Sequence, residues 1–274
     1  MVQEIAPSVF NNAYTPCAPD RESRAMLFED NRLLVSEETW ELPYVCEVET
    51  PEKELRYLFA IDEVRYYLAQ KQAQLPQGYA MHSMHEIRSH AKRKTLFAAY
   101  TGYHLYLWYS RHRFCGRCGA PTVHDRKLRM LHCPSCDLQI FPTISPAVII
   151  GLTDGDRILL SKYAHSTYTQ YALLAGFTEI GETMEETVQR EVIEETGLEV
   201  ENIRYWGSQP WGCDGGVLMG FFCDLKGSDR IRLDETELAS AEWKHWRDVP
   251  DGIDDVSLTS EMMRAFRRKW EGKT

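Results

Sequence analysis

The sequence predicts an α+β protein in three parts: an N-terminal α/β domain over residues 1–113, a short cysteine-bearing segment over 114–140, and a mixed α/β domain over 141–274. Three observations carry this. At 274 residues the chain is long for a single hydrophobic core. Two C-x-x-C pairs stand close together near its middle. After FPTISP (141–146) the texture changes, from short alternating segments to apolar runs that flank a glutamate-rich helix.

Each element follows from its own pattern. RAMLFE (24–29), NRLLVS (31–36) and ELRYLFAI (54–61) alternate and are separated by Pro, Asp and Asn, which predicts a small sheet with hairpins. From Ser83 to about Arg113 apolar residues recur at helical spacing (Leu96, Ala99, Tyr103, Leu107), predicting one or two helices with a break near Gly102. AVIIGL (147–152) and RILLSK (157–162) predict strands joined by a Thr-Asp-Gly-Asp hairpin, and YALLAGF (171–177) leads into the glutamate helix. Strand patterns follow at 202–207 and 217–225, and a last helix from about Asp255 to Trp270.

Composition narrows the function classes. The chain is 43% apolar and 26% charged, as soluble globular proteins are, and its net charge of -10 argues against coating nucleic acid or anionic membrane by bulk electrostatics. No apolar run approaches the ~18 residues of a membrane span. The opening MVQEIAPSVF has no basic segment or long apolar run of a secretory signal. With four of eight cysteines paired as metal ligands would be, the expectation is a cytoplasmic protein in a reducing compartment.

Cys115-Gly-Arg-Cys118 and Cys133-Pro-Ser-Cys136, fourteen residues apart, place four thiols on two tight turns, the arrangement a tetrahedral zinc needs. Four protein ligands close the coordination sphere, so the expectation is one structural Zn²⁺ per chain, with two redox dithiols as the alternative. Phe114, Gly116 and Gly119 suit the turns. Arg117, Arg126, Lys127 and Arg129 make the segment locally basic, read as a solvated hairpin, with a nucleic-acid contact as the other reading. Cys17, Cys46, Cys213 and Cys223 show no metal spacing and are taken as ordinary thiols.

The stretch GETMEETVQREVIEETG (181–197) crowds six glutamates into and just before one helix, where like charges three and four apart repel. Thr183 with Glu186 forms a capping box, and Gly197 sits where a left-handed residue ends a helix. At about 100° per residue, Glu191 and Glu195 share one face roughly 40° apart, with Glu194 about 60° to the other side. Glu185 and Glu186 point away towards solvent. Met184, Val188 and Val192 stripe the neighbouring face, so Glu191 and Glu195 stand at the margin of buried surface. Carboxylates there call for a hard divalent cation, Mg²⁺ or Mn²⁺; the alternative is a solvated acidic face.

The wider pattern, Gly176-x5-Glu182-x7-Arg190-Glu191-Val192-x-Glu194-Glu195-x-Gly197-Leu198, resembles the Nudix box at every defined position. That resemblance implies an α/β/α sandwich with a mixed sheet, and hydrolysis of a nucleoside diphosphate linked to another group. It implies Glu191, Glu194 and Glu195 as metal-binding and catalytic glutamates, Arg190 as the arginine that orients one of them, and Glu182 as a residue that assists the metal shell or shapes the loop. With no G-x-x-x-x-G-K-[ST] loop in the chain, metal must hold the phosphates.

The cysteine segment directly before the box, LAGFTEIGET (174–183) leading into it, and SQPW (208–211) after it together resemble the NADH pyrophosphatase branch. The resemblance spans about residues 96–270. It implies cleavage of NADH, and often NAD⁺, to nicotinamide mononucleotide and AMP, with NAD-cap removal from RNA in some members, and a homodimer with no membrane partner. Ala175 matches a carbonyl of the metal shell, and Glu237 a downstream carboxylate that assists metal or water, with Glu235 a weaker match. Phe177 matches the aromatic that stacks on the base, core packing being the alternative. Gln209, Pro210, Trp211, Gly212, Cys213, Asp214, Gly215 and Gly216 match the dinucleotide-contacting loop, and Phe141 and Thr259 complete the substrate set.

The branch motif runs Ser-Gln-Pro-Trp-Pro-Phe-Pro-x-Ser, whereas Trp211 is followed here by Gly212-Cys213-Asp214-Gly215-Gly216. Three glycines predict a permissive loop, and Asp214 predicts negative charge facing an anionic substrate. Phe141 stands where the branch has tyrosine. Two further readings therefore stand beside an NAD(H) diphosphatase. One is a Nudix hydrolase of ADP-ribose, a dinucleoside polyphosphate or coenzyme A. The other is a zinc-ribbon nucleic-acid regulator with a Nudix sensor domain.

Overall fold

Apolar runs become strand where their side chains can be buried, and in the N-terminal segments consecutive residues are buried rather than every second one, as at Leu33 to Val35 and Tyr57 to Ile61. The computed structural model describes residues 1–165, 169–252 and 254–272. The chain folds into two compact units, one of Val2–Ile144 with Trp211–Gly215, the other of Met1, Ser145–Pro210 and Gly216–Thr274.

The first unit contains β1 (Phe10–Asn11), β2 (Arg24–Met26), β3 (Phe28–Glu29), β4 (Arg32–Ser36), β5 (Arg56–Ile61), β6 (Val64–Leu68) and β7 (Tyr79–Ser83). They form a four-stranded sheet, β1-β5-β6-β2, and a three-stranded one, β3-β4-β7. Two helices follow, α1 (Met84–His90) and α2 (Arg93–Arg111). Ser83 caps α1 reciprocally: Glu86 N–H donates to Ser83 Oγ at 3.2 Å, and Ser83 N–H to Glu86 Oε2 at 2.8 Å. The helical stretch breaks at Ala91 and Lys92, both extended, and not near Gly102 as expected. Gly102 lies inside α2 because a Cβ there would overlap the Met26 sulfur; the glycine serves a close approach rather than a kink.

Three short strands complete this unit: β8 (Val123–His124), β9 (Leu131–His132) and β10 (Gln139–Ile140), in the order β10-β9-β8. Arg129 was expected in a solvated basic hairpin. It instead reaches back to the N-terminal strands, donating to Asn12 Oδ1 at 2.6 Å and to the Leu58 carbonyl at 2.5 Å. It is a strut, its guanidinium tied to neutral oxygens of Asn12 and Leu58.

The second unit is built on β11 (Ser145–Asp154), β12 (Arg157–Tyr163), β13 (Leu174–Phe177), α3 (Met184–Thr196), β14 (Glu199–Trp211), β15 (Gly216–Lys226), β16 (Leu238–His245) and α4 (Leu258–Glu271). The sheet runs β14-β15-β11-β12-β16, with β13 paired to β11. It is mixed: β11 runs parallel to β15 and antiparallel to β12 and β13. Strand alternation divides the core between two helices. Val148, Ile150, Leu152 and Leu159 face Val188 and Val192 of α3, whereas Ile149, Ile158 and Leu160 face Met262, Met263 and Phe266 of α4. One helix on each face of a mixed sheet is the α/β/α sandwich expected. The β11–β12 turn closes on Gly155 (φ 57°), as the Thr-Asp-Gly-Asp stretch predicted.

Strand β14 is longer than its sequence pattern, and β16 was not foreseen. Helix α4 begins at Leu258, later than expected, because Asp254 Oδ1 accepts the N–H groups of Val256 and Ser257 and holds that segment in a turn. Ser257 then caps the helix by accepting from Ser260 N–H at 3.2 Å. Among the described residues no helix is long and apolar enough to cross a membrane.

Candidate active site and metal centre

Helix α3 holds its carboxylates in place by its own ends. Thr183 Oγ1 accepts from Glu186 N–H at 3.2 Å while Glu186 Oε2 accepts from Thr183 N–H at 2.7 Å, and Gly197 ends the helix at φ 67°. Between these limits Glu191 is 7% exposed and Glu195 2%, deeper than the margin the sequence suggested, while Glu185 and Glu186 are exposed as expected. The Glu194 side chain is 58% exposed.

Arg190 organises the cluster. Its Nε donates to Glu182 Oε1 (2.6 Å), one terminal nitrogen to Glu191 Oε1 (2.7 Å) and Glu194 Oε2 (3.0 Å), and the other to the Phe177 carbonyl (2.9 Å) and Glu182 Oε2 (3.0 Å). Its charge-assisted bonds hold Glu182 down to about 2. Glu182 also accepts from Glu179 N–H and the Thr187 hydroxyl, so its oxygens are committed to shaping the loop. On β13, a Cβ at Gly176 would overlap the Glu191 carboxyl; the absent side chain makes room for it beside the Ala175 backbone.

Glu195 carries the electrostatic signature of the site. Its Oε2 is buried without a hydrogen-bond partner. Burial, then the charges of Glu191, Glu237, Asp234 and Glu194, push its carboxyl up to about 8. Burial also raises Glu191, against the pull of Arg190. A buried, unpartnered oxygen among like charges fits a hard divalent cation ligated by oxygen. The glutamates do not form a closed cage: among the described residues the four cysteines are the group whose ligand atoms all lie within 4.8 Å of one another.

The cysteine group does form a cage. Sulfurs bound tetrahedrally at 2.3 Å stand about 3.8 Å apart, and here Cys115–Cys136 and Cys118–Cys133 are separated by 3.6 and 3.4 Å. The two turns repeat one geometry: Gly119 N–H donates to the Cys115 carbonyl and Asp137 N–H to that of Cys133, with Gly119 at φ 74° and Asp137 at φ 55°. Backbone amides of Cys118 and Arg117 hold the Cys115 thiol below its usual range, favouring the thiolate that binds metal, while its neighbour Cys118 is pushed up within the same cluster.

The remaining expected residues are dispersed. Phe177 is 55% exposed at the end of β13 and Phe141 also lies open, so neither is packed in a core. Gln209 is fully buried: its amide donates to the Val256 carbonyl at 2.6 Å and its oxygen accepts from Leu258 N–H at 2.7 Å, which fixes the start of α4, where Thr259 lies. Pro210 is exposed. The segment after it is more constrained than three glycines suggested. The Trp211 ring meets Tyr100 edge-on and lies under Arg88, and its Nε1 donates to Asp214 Oδ2 at 2.9 Å, which occupies that carboxylate. Gly212 abuts the Tyr100 carbonyl, Gly215 has φ 70°, Gly216 lies against the Ser145 carbonyl, and burial raises the Cys213 thiol to about 11.

A NUDIX domain is matched over residues 143–266, and an NADH pyrophosphatase zinc ribbon domain over 110–141. The C-terminal domain belongs to the Nudix family. Relatives from several bacteria bear the name NAD-capped RNA hydrolase NudC, two of them as follows. The one from Pasteurella multocida is 40% identical over 144 residues, covering 52% of this chain and 54% of that protein. The one from Photorhabdus laumondii is 40% identical over 149 residues, covering 54% and 58%. The chain thus spans about half the length of the curated relatives it matches. The fold is also similar to the crystal structure of a NUDIX hydrolase from Nitrosomonas europaea, with TM-score 0.50 and 23% identity over 58% of this chain and 93% of that one.

Within the Nudix domain, the segment before β16 brings a residue that sequence reading passed over. Asp234 N–H donates to the Glu195 carbonyl at 3.0 Å, and its carboxylate holds Thr236. Glu237 is exposed and acts electrostatically on both Glu191 and Glu195; Glu235 is exposed as well. The D-x-T-E spacing of Asp234 and Glu237 was the available signal.

A carboxyl raised on folding keeps its proton at pH values where the unfolded chain has lost it, so its contribution to stability falls as pH rises from about 4.5 to about 8. Without divalent cation the protein should lose about 2–4 kcal/mol over that interval through Glu195. Glu195→Gln should flatten the profile and Mn²⁺ should restore stability at pH 8; urea unfolding at pH 5 and 8 measures both, and an equal slope in the variant would refute the assignment.

Proposed function

We propose that this chain is a divalent-metal-dependent hydrolase of the pyrophosphate bond of NADH and NAD⁺, yielding nicotinamide mononucleotide and AMP. The observation that carries the reading is the buried, unpartnered oxygen of Glu195 beside Glu191, in a Nudix domain that follows a zinc ribbon of the NADH pyrophosphatase type. The parts are an N-terminal domain (1–113), the ribbon (114–140) with one structural Zn²⁺, and the hydrolase (141–274), acting as a homodimer. The name of the relatives supports NAD-capped RNA as a second substrate.

Glu191, Glu194 and Glu195, with the Ala175 carbonyl, would hold Mg²⁺ or Mn²⁺. Such ions neutralise the pyrophosphate, acidify an attacking water and stabilise the leaving phosphate. Arg190 is a positioning residue: it sets the spacing of Glu191 and Glu194 while Glu182 anchors it in turn. Glu237, whose carboxylate is exposed and acts on both Glu191 and Glu195, would take the proton of the attacking water. Phe177, open at the end of β13, offers a face to a base. Pro210, Gly216 and Thr259 belong to the rest of the proposed substrate-contacting set, and Gln209 supports it through α4.

A panel of NADH, NAD⁺, NAD-capped RNA, ADP-ribose, diadenosine polyphosphates and coenzyme A at equal metal tests the reading. NADH or an NAD⁺ species should give the highest kcat/KM. NADH and NAD⁺ species ranking last would move the assignment to another nucleoside diphosphate derivative.

A further inference from the structure

The N-terminal unit holds a cavity with chemistry of its own. It measures about 360 Å³, at the small end of the range for small-molecule sites, and is bordered by β5, β6, the C-terminal turns of α2 and the ribbon. Two guanidinium groups line it, from Arg56 and Arg113, and no carboxylate does. Neither side chain has an ion-pair or hydrogen-bond partner among the described residues. Arg56 is half-buried, with its Cζ 4.8 Å from the centre of the Tyr109 ring. A guanidinium removed from water without an acceptor is costly unless an anion completes it.

The rest of the lining is aromatic. Tyr106 and Tyr109 come from one face of α2, and the His124 ring lies 5.0 Å from that of Tyr109. Burial, and then Arg56, lower His124 to about 4, so its ring is neutral at neutral pH and adds no charge of its own. The nearby hydroxyls are already engaged: Thr122 donates to the His112 carbonyl and Ser110 to that of Leu107. What remains without a hydrogen-bond partner is two cationic forks, Arg56 lying over the Tyr109 ring, and beside them rings that touch one another and, for Tyr106, stack on Phe28; cations next to aromatic edges are the pair of features that a phosphate and a base require.

We infer that this cavity binds a small phosphorylated aromatic ligand of the nucleoside monophosphate class, with Arg56 and Arg113 on the phosphate and the Tyr106, Tyr109 and His124 rings along the base. The site is distinct from the α3 glutamates and does not depend on the catalytic reading. Its volume suits one nucleotide rather than a strand.

Calorimetric titration of the full-length protein with AMP, without added Mg²⁺ or Mn²⁺, tests it. One AMP should bind per chain, at least tenfold more weakly in Arg113→Glu and in Arg56→Gln and unchanged in Glu194→Gln; inorganic phosphate should bind more weakly than AMP. Arg113 is exposed, so its variant folds even if the half-buried Arg56 does not tolerate change. The inference falls if wild type shows no saturable AMP binding, if Arg113→Glu binds as wild type does, or if Glu194→Gln alone loses the ligand. Phosphate binding as tightly as AMP would remove the aromatic part.

Discussion

Glu194→Gln is expected to lower metal-dependent hydrolysis of NADH by about a thousand-fold, a loss of ~4 kcal/mol in transition-state stabilisation, with urea unfolding and zinc content unchanged. The two readouts separate because of where Glu194 stands. Its side chain is more than half exposed and has one hydrogen bond, to Arg190, so the fold loses only an exposed ion pair, worth ~0–1 kcal/mol. The proposed metal site loses a charged oxygen ligand. Glutamine keeps the size and one carbonyl oxygen but removes the negative charge that a hard cation prefers. Undiminished activity with saturating Mn²⁺ would remove Glu194 from the proposed ligand set. Unfolding of the variant would show that the carboxylate supports the helix instead.

The second large effect is expected from Cys133→Ser. Cys133 is fully buried with its sulfur 3.4 Å from that of Cys118, and a hydroxyl there is a poorer zinc ligand than a thiolate. Structural zinc contributes on the order of 10 kcal/mol to the folding of isolated small sites, and the three two-residue strands of this ribbon bury little else. Zinc content should fall from about one per chain towards zero. Thermal unfolding should begin several degrees earlier, because losing the ribbon also releases the Arg129 bonds to Asn12 and Leu58. Metal analysis and calorimetry on the same sample check both. A wild-type chain without zinc, or a variant that keeps it, would refute the four-thiol site.

The features legible in the sequence were those set by neighbours a few residues apart. The capping box of Thr183 and Glu186, the Gly197 stop, the Asp-Gly hairpin and the two cysteine turns all depend on local geometry, and the structure has each of them. What stayed hidden depends on distant contacts. Gly102 read as a helix breaker because its reason, Met26, lies far away in sequence. Arg129 read as solvated because Asn12 and Leu58 were out of view. Strand β16 has side chains of middling burial instead of clean alternation, so periodicity could not announce it. Gln209 sits inside a motif associated with substrate, yet both ends of its amide are taken up by the turn before α4.

Arginine has five N–H groups, and in this protein Arg190 has placed all five on Glu182, Glu191, Glu194 and the Phe177 carbonyl. An incoming polyphosphate therefore meets no spare guanidinium hydrogen in the cradle, only a surplus of negative charge. For the hydrolysis proposed above, electrostatics would impose an order of arrival: cations would load the helix first, or enter already riding on the nucleotide. The rate of that reaction would then depend on free divalent concentration as much as on substrate.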